Sequence, residues 1–323
     1  MISNGARVRA SIDGHSLSWS PWPHRIAVIL ACATFPLLFI GGLVTSKGVG
    51  LAVPDWPTTF GYNMFLYPWS KMIGGIFYEH SHRLVASFVG VLTIALALTF
   101  WLGERRNWLR WLGLAALALV IAQGVLGGLR VVLLEDTFAI VHAATAQVFF
   151  ALTICMAMFT SNEWRGAPIG APLKDGGRLR RLCLITTGLI YLQVVFGAIL
   201  RHTGERLDAH LVVAFLVALH VLLVAIRVSR HHSDRQQLTR PALLLVFFLI
   251  LQVALGGASY VAKFTALWPA SFDVIVWITT AHLAVGALML AASVALTLRA
   301  CRLSAPFVDE RSSKEVLTEQ FSV

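Results

Sequence analysis

Predominantly apolar residues fill eight long stretches of the chain, and polar or charged segments separate these stretches. A helix of about 20 apolar residues crosses a bilayer core of about 30 Å. None of the stretches alternates between apolar and polar residues as a membrane barrel strand does. The pattern therefore predicts an all-α membrane protein with eight transmembrane helices, over residues 26–45, 84–102, 111–134, 137–159, 182–200, 210–228, 241–262 and 274–298.

The composition supports this class. Of the 323 residues, 57% are hydrophobic and 13% are charged, and the mean hydropathy is +0.75. A soluble domain carries about 25% charged residues. A polar segment precedes the first apolar stretch, and no small-residue cleavage site follows it, so we expect a retained helix and not a signal peptide.

The net charge of +10 reports topology and not a nucleic-acid partner. Lysines and arginines concentrate in alternate connections and at both ends of the chain, as in the positive-inside pattern of membrane proteins. This distribution predicts that both termini are cytoplasmic. The basic residues concerned are Arg7, Arg9, Arg25, Arg105, Arg106, Arg110, Arg165, Lys174, Arg178, Arg180, Arg181, Arg227, Arg230, Arg235, Arg240, Arg299, Arg302, Arg311 and Lys314.

A short motif recurs at the end of the odd-numbered stretches. The third, fifth and seventh end with a glutamine followed four residues later by a glycine, and the first ends in Gly41-Gly42 without the glutamine. The repeat predicts two pseudo-symmetric four-helix halves. The predicted divisions are a cytoplasmic segment 1–25, an N-terminal half 26–160, a cytoplasmic linker 161–181, a C-terminal half 182–298 and a cytoplasmic tail 299–323, disordered after Leu303.

A histidine opens each even-numbered stretch, with a small residue four positions later on the same helix face. The pairs are His82 with Ala86, His142 with Ala146, His210 with Ala214, and His282 with Gly286. Each pair offers a nitrogen ligand beside a shallow notch, which suits a flat metal macrocycle, and imidazole is a good ligand for iron. One such histidine alone is more often a hydrogen-bonded interfacial residue. Four in register favour two sites with two axial ligands each, one site in each half.

Three further residues are candidates for the chemistry of these sites. Glu79 lies one turn before His82. We expect it to act as an acid or base beside the macrocycle; the alternative is a carboxylate stabilised by the helix N-terminus. Arg130 and Arg201 follow glycine-rich helix ends on the outer side. Their guanidinium groups suit porphyrin propionates, although an arginine that extends its side chain to the membrane surface explains them equally well.

Other histidines fit the sites less well. His80 points to a different helix face from His82 and is expected to contact a loop. His220 lies deeper in its stretch and could serve as an alternative ligand, but nothing in the other three helix pairs matches it. His231 and His232 lie in a basic cytoplasmic connection and are expected to be solvated. The first outward loop, 47–75, is rich in aromatic residues and prolines, and we expect it to lie at the membrane interface as a lid or belt.

The ordered set of motifs resembles the heme A synthases, which assist cytochrome oxidase assembly. The resemblance covers about 26–298, and it is carried by Gly41-Gly42-Leu43-Val44-Thr45, Asp55-Trp56-Pro57, Glu79-x-x-His82-Arg83 and the three later histidines, His142, His210 and His282. It implies an inner-membrane oxidoreductase that oxidises the ring D methyl group of heme O to a formyl group by successive hydroxylation, which gives heme A.

The resemblance also implies roles for single residues. His210 and His282 would ligate a heme b cofactor, His82 and His142 would contact heme O, and Glu79 would act in catalysis. The implied partners are heme O, heme A, heme O synthase, cytochrome oxidase assembly factors and membrane lipid.

One feature departs from the family. Many bacterial members carry a cysteine pair in the first outward loop, and residues 47–75 contain no cysteine. Any thiol-based step at that position is therefore absent from this chain.

Two rival functions stay open on the sequence. One is a non-catalytic heme-binding protein of oxidase assembly. The other is a b-type electron carrier with two histidine ligands to each heme. Carriers of that kind commonly place ligands at two depths of the membrane, whereas the four histidines here share one depth.

Overall fold

The computed structural model describes residues 20–166 and 173–304. The expected disorder of the tail after Leu303 concerns residues that, from 305 onward, lie outside the described part. The same holds for most of the predicted N-terminal segment and for residues 167–172 of the predicted linker.

Within the described residues the chain is helical, and eight of its helices are long and apolar enough to cross a membrane. The prediction of eight transmembrane helices is therefore confirmed. The helices are α1 Trp22–Ser46, α2 Gly74–Gly103, α3 Asn107–Leu133, α4 Asp136–Thr160, the short α5 Asn162–Arg165, α6 Gly176–Thr203, α7 Leu207–His231, α8 Gln236–Phe264 and α9 Phe272–Ser304. Several helices extend beyond the apolar stretches; α2 begins ten residues earlier than predicted, at Gly74, and so includes Glu79 and His82.

Two very short connections join helix pairs at the end of the molecule that carries the histidines. Leu134 directly follows α3 and Gly204 directly follows α6, and both residues adopt the left-handed conformation that terminates helices. Gly204 has a φ of 76°, which a residue without a Cβ adopts at little cost. Because so few residues remain in each connection, α4 must run back beside α3, and α7 beside α6.

Each set of four long helices closes into a ring. In the N-terminal ring α1 packs on α2, α2 on α3, α3 on α4, and α4 on α1. In the C-terminal ring the same order holds for α6, α7, α8 and α9. The two helices that carry histidines therefore stand diagonally across each ring, α2 opposite α4 and α7 opposite α9.

The rings meet through α4 and α9. These two helices pack on each other, α1 packs on α9, and α4 packs on α6. Exchanging the two rings maps the last two contacts onto each other, so the interface has an approximate two-fold relation. At the end that carries the histidines, the hydroxyl group of Ser46 lies 3.1 Å from that of Thr279 and 2.9 Å from that of Thr280.

Each ring has its own apolar core. One cluster of buried side chains includes Leu30, Leu96 and Phe100 in the N-terminal ring, and another includes Val221 and Leu290 in the C-terminal ring. Many large apolar side chains on the outside of the helices are exposed. This arrangement is expected of a protein whose outer surface faces lipid.

The expectation for His232 was wrong. Its side chain is only 5% exposed, because it follows the last turn of α7 and its backbone N–H donates to Val228. Burial lowers the pKa of His232, and the nearby positive charges of His231 and Arg227 lower it further. His231, in contrast, is exposed as expected.

Candidate functional site

The tertiary structure brings the histidines of the C-terminal ring together. The ring centroids of His210 and His282 lie 6.4 Å apart, and the ring planes are inclined at 74°. An imidazole nitrogen lies about 2 Å from a coordinated metal. Two imidazoles on opposite sides of one metal ion therefore have centroids roughly 6 Å apart, which is the spacing found between α7 and α9.

The N-terminal ring repeats the arrangement with His82 on α2 and His142 on α4. The two side chains are close enough for their charges to interact when both are protonated. The pairing by halves that the repeat predicts is thus the pairing that the fold produces.

A glycine on the preceding helix lies against each of the four imidazoles. A Cβ built on that glycine would lie 3.4 Å or less from the Cε1 atom of the imidazole, which is the short limit of ordinary van der Waals contact. The distances are 2.9 Å for Gly41 and His82, 3.4 Å for Gly127 and His142, 3.3 Å for Gly197 and His210, and 3.0 Å for Gly256 and His282. We call these four residues the floor glycines. They let the histidines lie inside the ring of helices.

The four histidines also share an unused polar atom. The Nδ1 atom of each is buried and has no hydrogen-bond partner among the described residues. Most buried polar atoms in proteins are paired. An unpaired nitrogen repeated at four equivalent positions is what a set of metal ligands leaves when only the protein is considered, so the residues fit a heme with two histidine ligands in each ring.

Three glutamines lie beside the histidines, and each precedes a floor glycine by four residues. The amide nitrogen of Gln193 lies 3.2 Å from Nε2 of His210. The amide nitrogen of Gln252 lies 2.7 Å from the position that a Cβ of Gly286 would take, so it fills the notch beside His282.

The first outward loop is fastened to α2 by Arg83. Its guanidinium group donates to the backbone oxygens of Val53, Asp55 and Thr58, and to the carboxylate of Glu79 at 2.8 Å. Such a charged fork that satisfies several acceptors at once fixes the loop more firmly than single bonds would. In the sequence Arg83 is only part of the Glu79-x-x-His82-Arg83 motif, and the pattern gives no sign of this role.

Glu79 belongs to the same network. Its side chain is buried, its Oε2 accepts from the backbone N–H of Val53 at 2.9 Å, and its Oε1 accepts from Arg83. Both carboxylate oxygens are thus engaged in holding the loop. Glu79 is also within electrostatic reach of Arg130 on α3.

His80 faces the loop, as its offset from His82 predicts. Its Nδ1 atom lies 3.1 Å from the hydroxyl oxygen of Thr59, and its ring packs against Tyr67. On α3 the same loop lies close, because the indole of Trp56 covers Gly128. The loop therefore packs against both α2 and α3 at the end of the N-terminal ring that carries the histidines.

Asp55 organises the tip of the loop. Its carboxylate accepts from the backbone N–H groups of Phe60 and Gly61 and from the hydroxyl group of Thr58. Burial by itself would raise the pKa of this carboxyl group, but these hydrogen bonds outweigh it and lower the pKa to about 2.

The two candidate arginines lie where the rings meet, and they differ in their surroundings. Arg201 reaches from α6 to α1, where it donates to the backbone oxygen of Gly42 at 2.7 Å and to the hydroxyl group of Ser46. Arg130 lies against Gly50, and among the described residues its guanidinium group has no hydrogen-bond partner.

The positive charges of Arg130 and Arg201 repel each other, and His202 lies within reach of both. His202 is not among the predicted site residues. Its position next to Arg201 is the feature of the sequence that could have indicated it. The two arginines favour an anion between them, and Glu79 and Asp136 already act on Arg130.

His220 takes no part in either site. Its Nδ1 atom lies 2.9 Å from the backbone oxygen of Leu216, one turn earlier on α7. This local contact explains why nothing in the other hairpins matches it.

Fold and site together define a polytopic membrane protein with two sites, each built from a pair of histidines on diagonal helices and suited to a heme. Residues 24–209 match the family described as cytochrome oxidase assembly protein, COX15-CtaA. The chain belongs to this family. It is therefore a multi-pass protein of the inner membrane whose function concerns heme.

Several proteins named heme A synthase are similar to the chain. That of Staphylococcus haemolyticus is 24% identical, over 77% of this chain and 90% of its own length. That of Alkalihalophilus pseudofirmus is 25% identical, over 75% and 88%. That of Shouchella clausii is 27% identical, over 57% of this chain and 60% of its own length. The match to the first two extends well into the C-terminal ring.

Proposed function

We propose that this protein is a heme A synthase, an oxidoreductase that converts heme O into heme A for cytochrome oxidase. The observation that carries the proposal is the presence of two histidine pairs on glycine floors within a chain of this family. One pair suffices for binding a heme. A second pair in the other ring provides a place for a heme that is substrate while the first heme stays as cofactor.

The C-terminal ring is the cofactor site of this proposal. His210 and His282 would hold heme b, since their rings lie 6.4 Å apart between α7 and α9 and the side chain of Gln193 contacts His210. Heme b supplies one-electron transfer when it is bound.

The N-terminal ring is the reaction site. His82 and His142 face heme O, and the loop held by Arg83 covers the outer end of this ring and keeps water from it. The two rings differ because this loop is held by Glu79 and Arg83, which belong to α2 of the N-terminal ring.

Glu79 supplies a fixed negative charge at the reaction site. We assign it to proton handling or to stabilisation of positive charge at the methyl group that is oxidised. Its two hydrogen bonds, to Val53 and Arg83, hold the carboxylate in place, and this fixed position suits electrostatic stabilisation.

Arg130 and Arg201 bind propionate groups at the outer end of the interface. Arg130 is the stronger candidate, because its guanidinium group has no hydrogen-bond partner among the residues the structure describes, whereas Arg201 already donates to α1. The carboxylates would also relieve the repulsion between the two arginines.

The remaining parts of the proposal concern organisation. The N-terminal half, 26–160, carries the substrate site and the C-terminal half, 182–298, carries heme b, with residues 161–181 as a cytoplasmic linker and both termini, 1–25 and 299–323, in the cytoplasm. Heme O synthase supplies the substrate, and oxidase assembly factors receive the product.

A second candidate is a heme-binding assembly protein without catalysis. One observation favours it: both oxygens of Glu79 serve the loop, which would leave the N-terminal ring without a proton donor or acceptor.

Extraction of pigments separates the two candidates. The chain is expressed with a heme O synthase in a host without heme A, and the extracted hemes are separated by chromatography. Heme A in the extract, and its loss in a His142→Ala variant, is the expected result. Purified protein that binds heme while the extract contains no heme A would favour the non-catalytic candidate.

A further inference from the structure

The four hairpins are not equivalent at one position. A hairpin here is a helix with a floor glycine together with the following helix, which carries the histidine. In three hairpins the residue four positions before the floor glycine is a glutamine. In the first hairpin this residue is Leu37, which precedes Gly41. Leu37 packs against the apolar cluster of the N-terminal ring. The difference is therefore built into the core and concerns the histidine that lies on Gly41, which is His82.

One of the three glutamine side chains contacts its histidine directly, and the other two place a polar group near theirs. The amide of Gln193 contacts His210, and that of Gln123 donates to the hydroxyl group of Thr145, one turn from His142 on α4. The backbone oxygens of Gln123, Gln193 and Gln252 also face the rings of His142, His210 and His282, although the geometry falls short of a full hydrogen bond.

His82 has no equivalent neighbour among the described residues. The charged groups that act on its ring are Arg83, Arg130 and, when protonated, His142, and all of them are positive. A polar partner behind a ligating histidine fixes the ring and raises its basicity, and the loss of such a partner costs about 10-fold to 100-fold in metal affinity. His82 is thus the least supported of the four imidazoles.

We propose that Leu37 makes His82 the exchangeable ligand, so that the N-terminal ring releases its heme readily while the C-terminal ring retains its heme. The functional meaning rests on the proposed synthase activity, because a substrate heme must leave its site after each turnover and a cofactor heme must not. The three glutamine-bearing hairpins hold their histidines for binding, and the leucine-bearing hairpin permits release.

Heme transfer from the purified full-length protein tests this proposal. The protein is loaded with hemin, apomyoglobin is added in excess, and the appearance of holomyoglobin is followed by absorbance. We expect a fast and a slow phase. His142→Ala should remove the fast phase and His210→Ala the slow phase, which assigns each phase to a ring.

Two substitutions in opposite directions then address the position itself. Leu37→Gln should slow the fast phase by about 10-fold, whereas Leu37→Met, which keeps an apolar side chain of similar volume, should leave it unchanged. Gln193→Leu should accelerate the slow phase by a similar factor. The Gln193→Leu variant tests the proposal even if Leu37→Gln does not fold.

The outcomes are decisive in both directions. Equal rates of heme transfer from the two rings of the unaltered protein would overturn the proposal. A slow phase whose rate does not change in Gln193→Leu would also overturn it. Heme transfer requires no turnover. A chain that shows the expected phases but yields no heme A would support the exchangeable ligand and contradict the synthase activity.

Discussion

Gly256 on α8 lies directly against the imidazole of His282 on α9. A Cβ at Gly256 would be 3.0 Å from the Cε1 atom of that ring, and the neighbouring Gly257 has no such contact within 4 Å. Two adjacent glycines of the same helix therefore differ in function: the first makes room for a ligand and the second does not face it.

Replacing Gly256 with alanine should displace the ring of His282 and weaken heme binding in the C-terminal ring. Gly257→Ala is the matched control, since its new methyl group meets no other described side chain or helix within 4 Å. The measurement is the low-spin absorbance of the purified protein per mole of chain. The floor-glycine interpretation fails if both variants bind the same amount of heme.

His210→Ala and His282→Ala should each abolish the low-spin b-type spectrum, because a six-coordinate iron needs both axial ligands. His220→Ala should keep it, since that ring contacts its own helix. Difference spectra of the reduced and oxidised proteins measure this. An unchanged spectrum in either of the first two variants would refute the assignment of ligands.

Arg83→Met should destabilise the protein strongly. It leaves the buried Glu79 without its cation and removes the bonds to the backbone oxygens of Val53, Asp55 and Thr58. Breaking a buried ion pair costs about 3–5 kcal/mol.

Arg178→Met is the control for that variant, because its pairing with Asp175 is largely exposed and such pairs contribute little. Thermal unfolding in detergent compares the two. Equal midpoints would show that the loop is held by other contacts.

The loop should lose its order in acid through Asp55. Its folded pKa of about 2 lies below the ordinary value of 3.8. The stabilisation is therefore complete above about pH 4 and is lost as the pH falls through about 2.

Hydrogen exchange checks this as the protection of residues 55–62 at several pH values. Asp55→Asn should remove the pH dependence of that protection. A loop equally protected at pH 2 and pH 5 would contradict the assigned role of the carboxylate.

The sequence by itself determined the class of the protein and which histidines are the candidate ligands. Apolar stretches of about 20 residues specify spanning helices, because a backbone within lipid must satisfy its own hydrogen bonds. The recurrence of histidine after a glycine-terminated helix paired His82 with His142, and His210 with His282, by halves. These features are local in sequence and periodic, so they could be read without knowledge of the fold.

The tertiary structure alone decided how the rings close and what surrounds each ligand. That α2 and α4 stand diagonally, that Arg83 ties a distant loop, and that Arg201 crosses to α1 all depend on packing between segments far apart in the chain. The burial of His232 has the same origin. Leu37 is one apolar residue among many in the sequence, and its meaning emerges only when Gly41 is seen to lie against His82, because a contact across helices has no periodic signature.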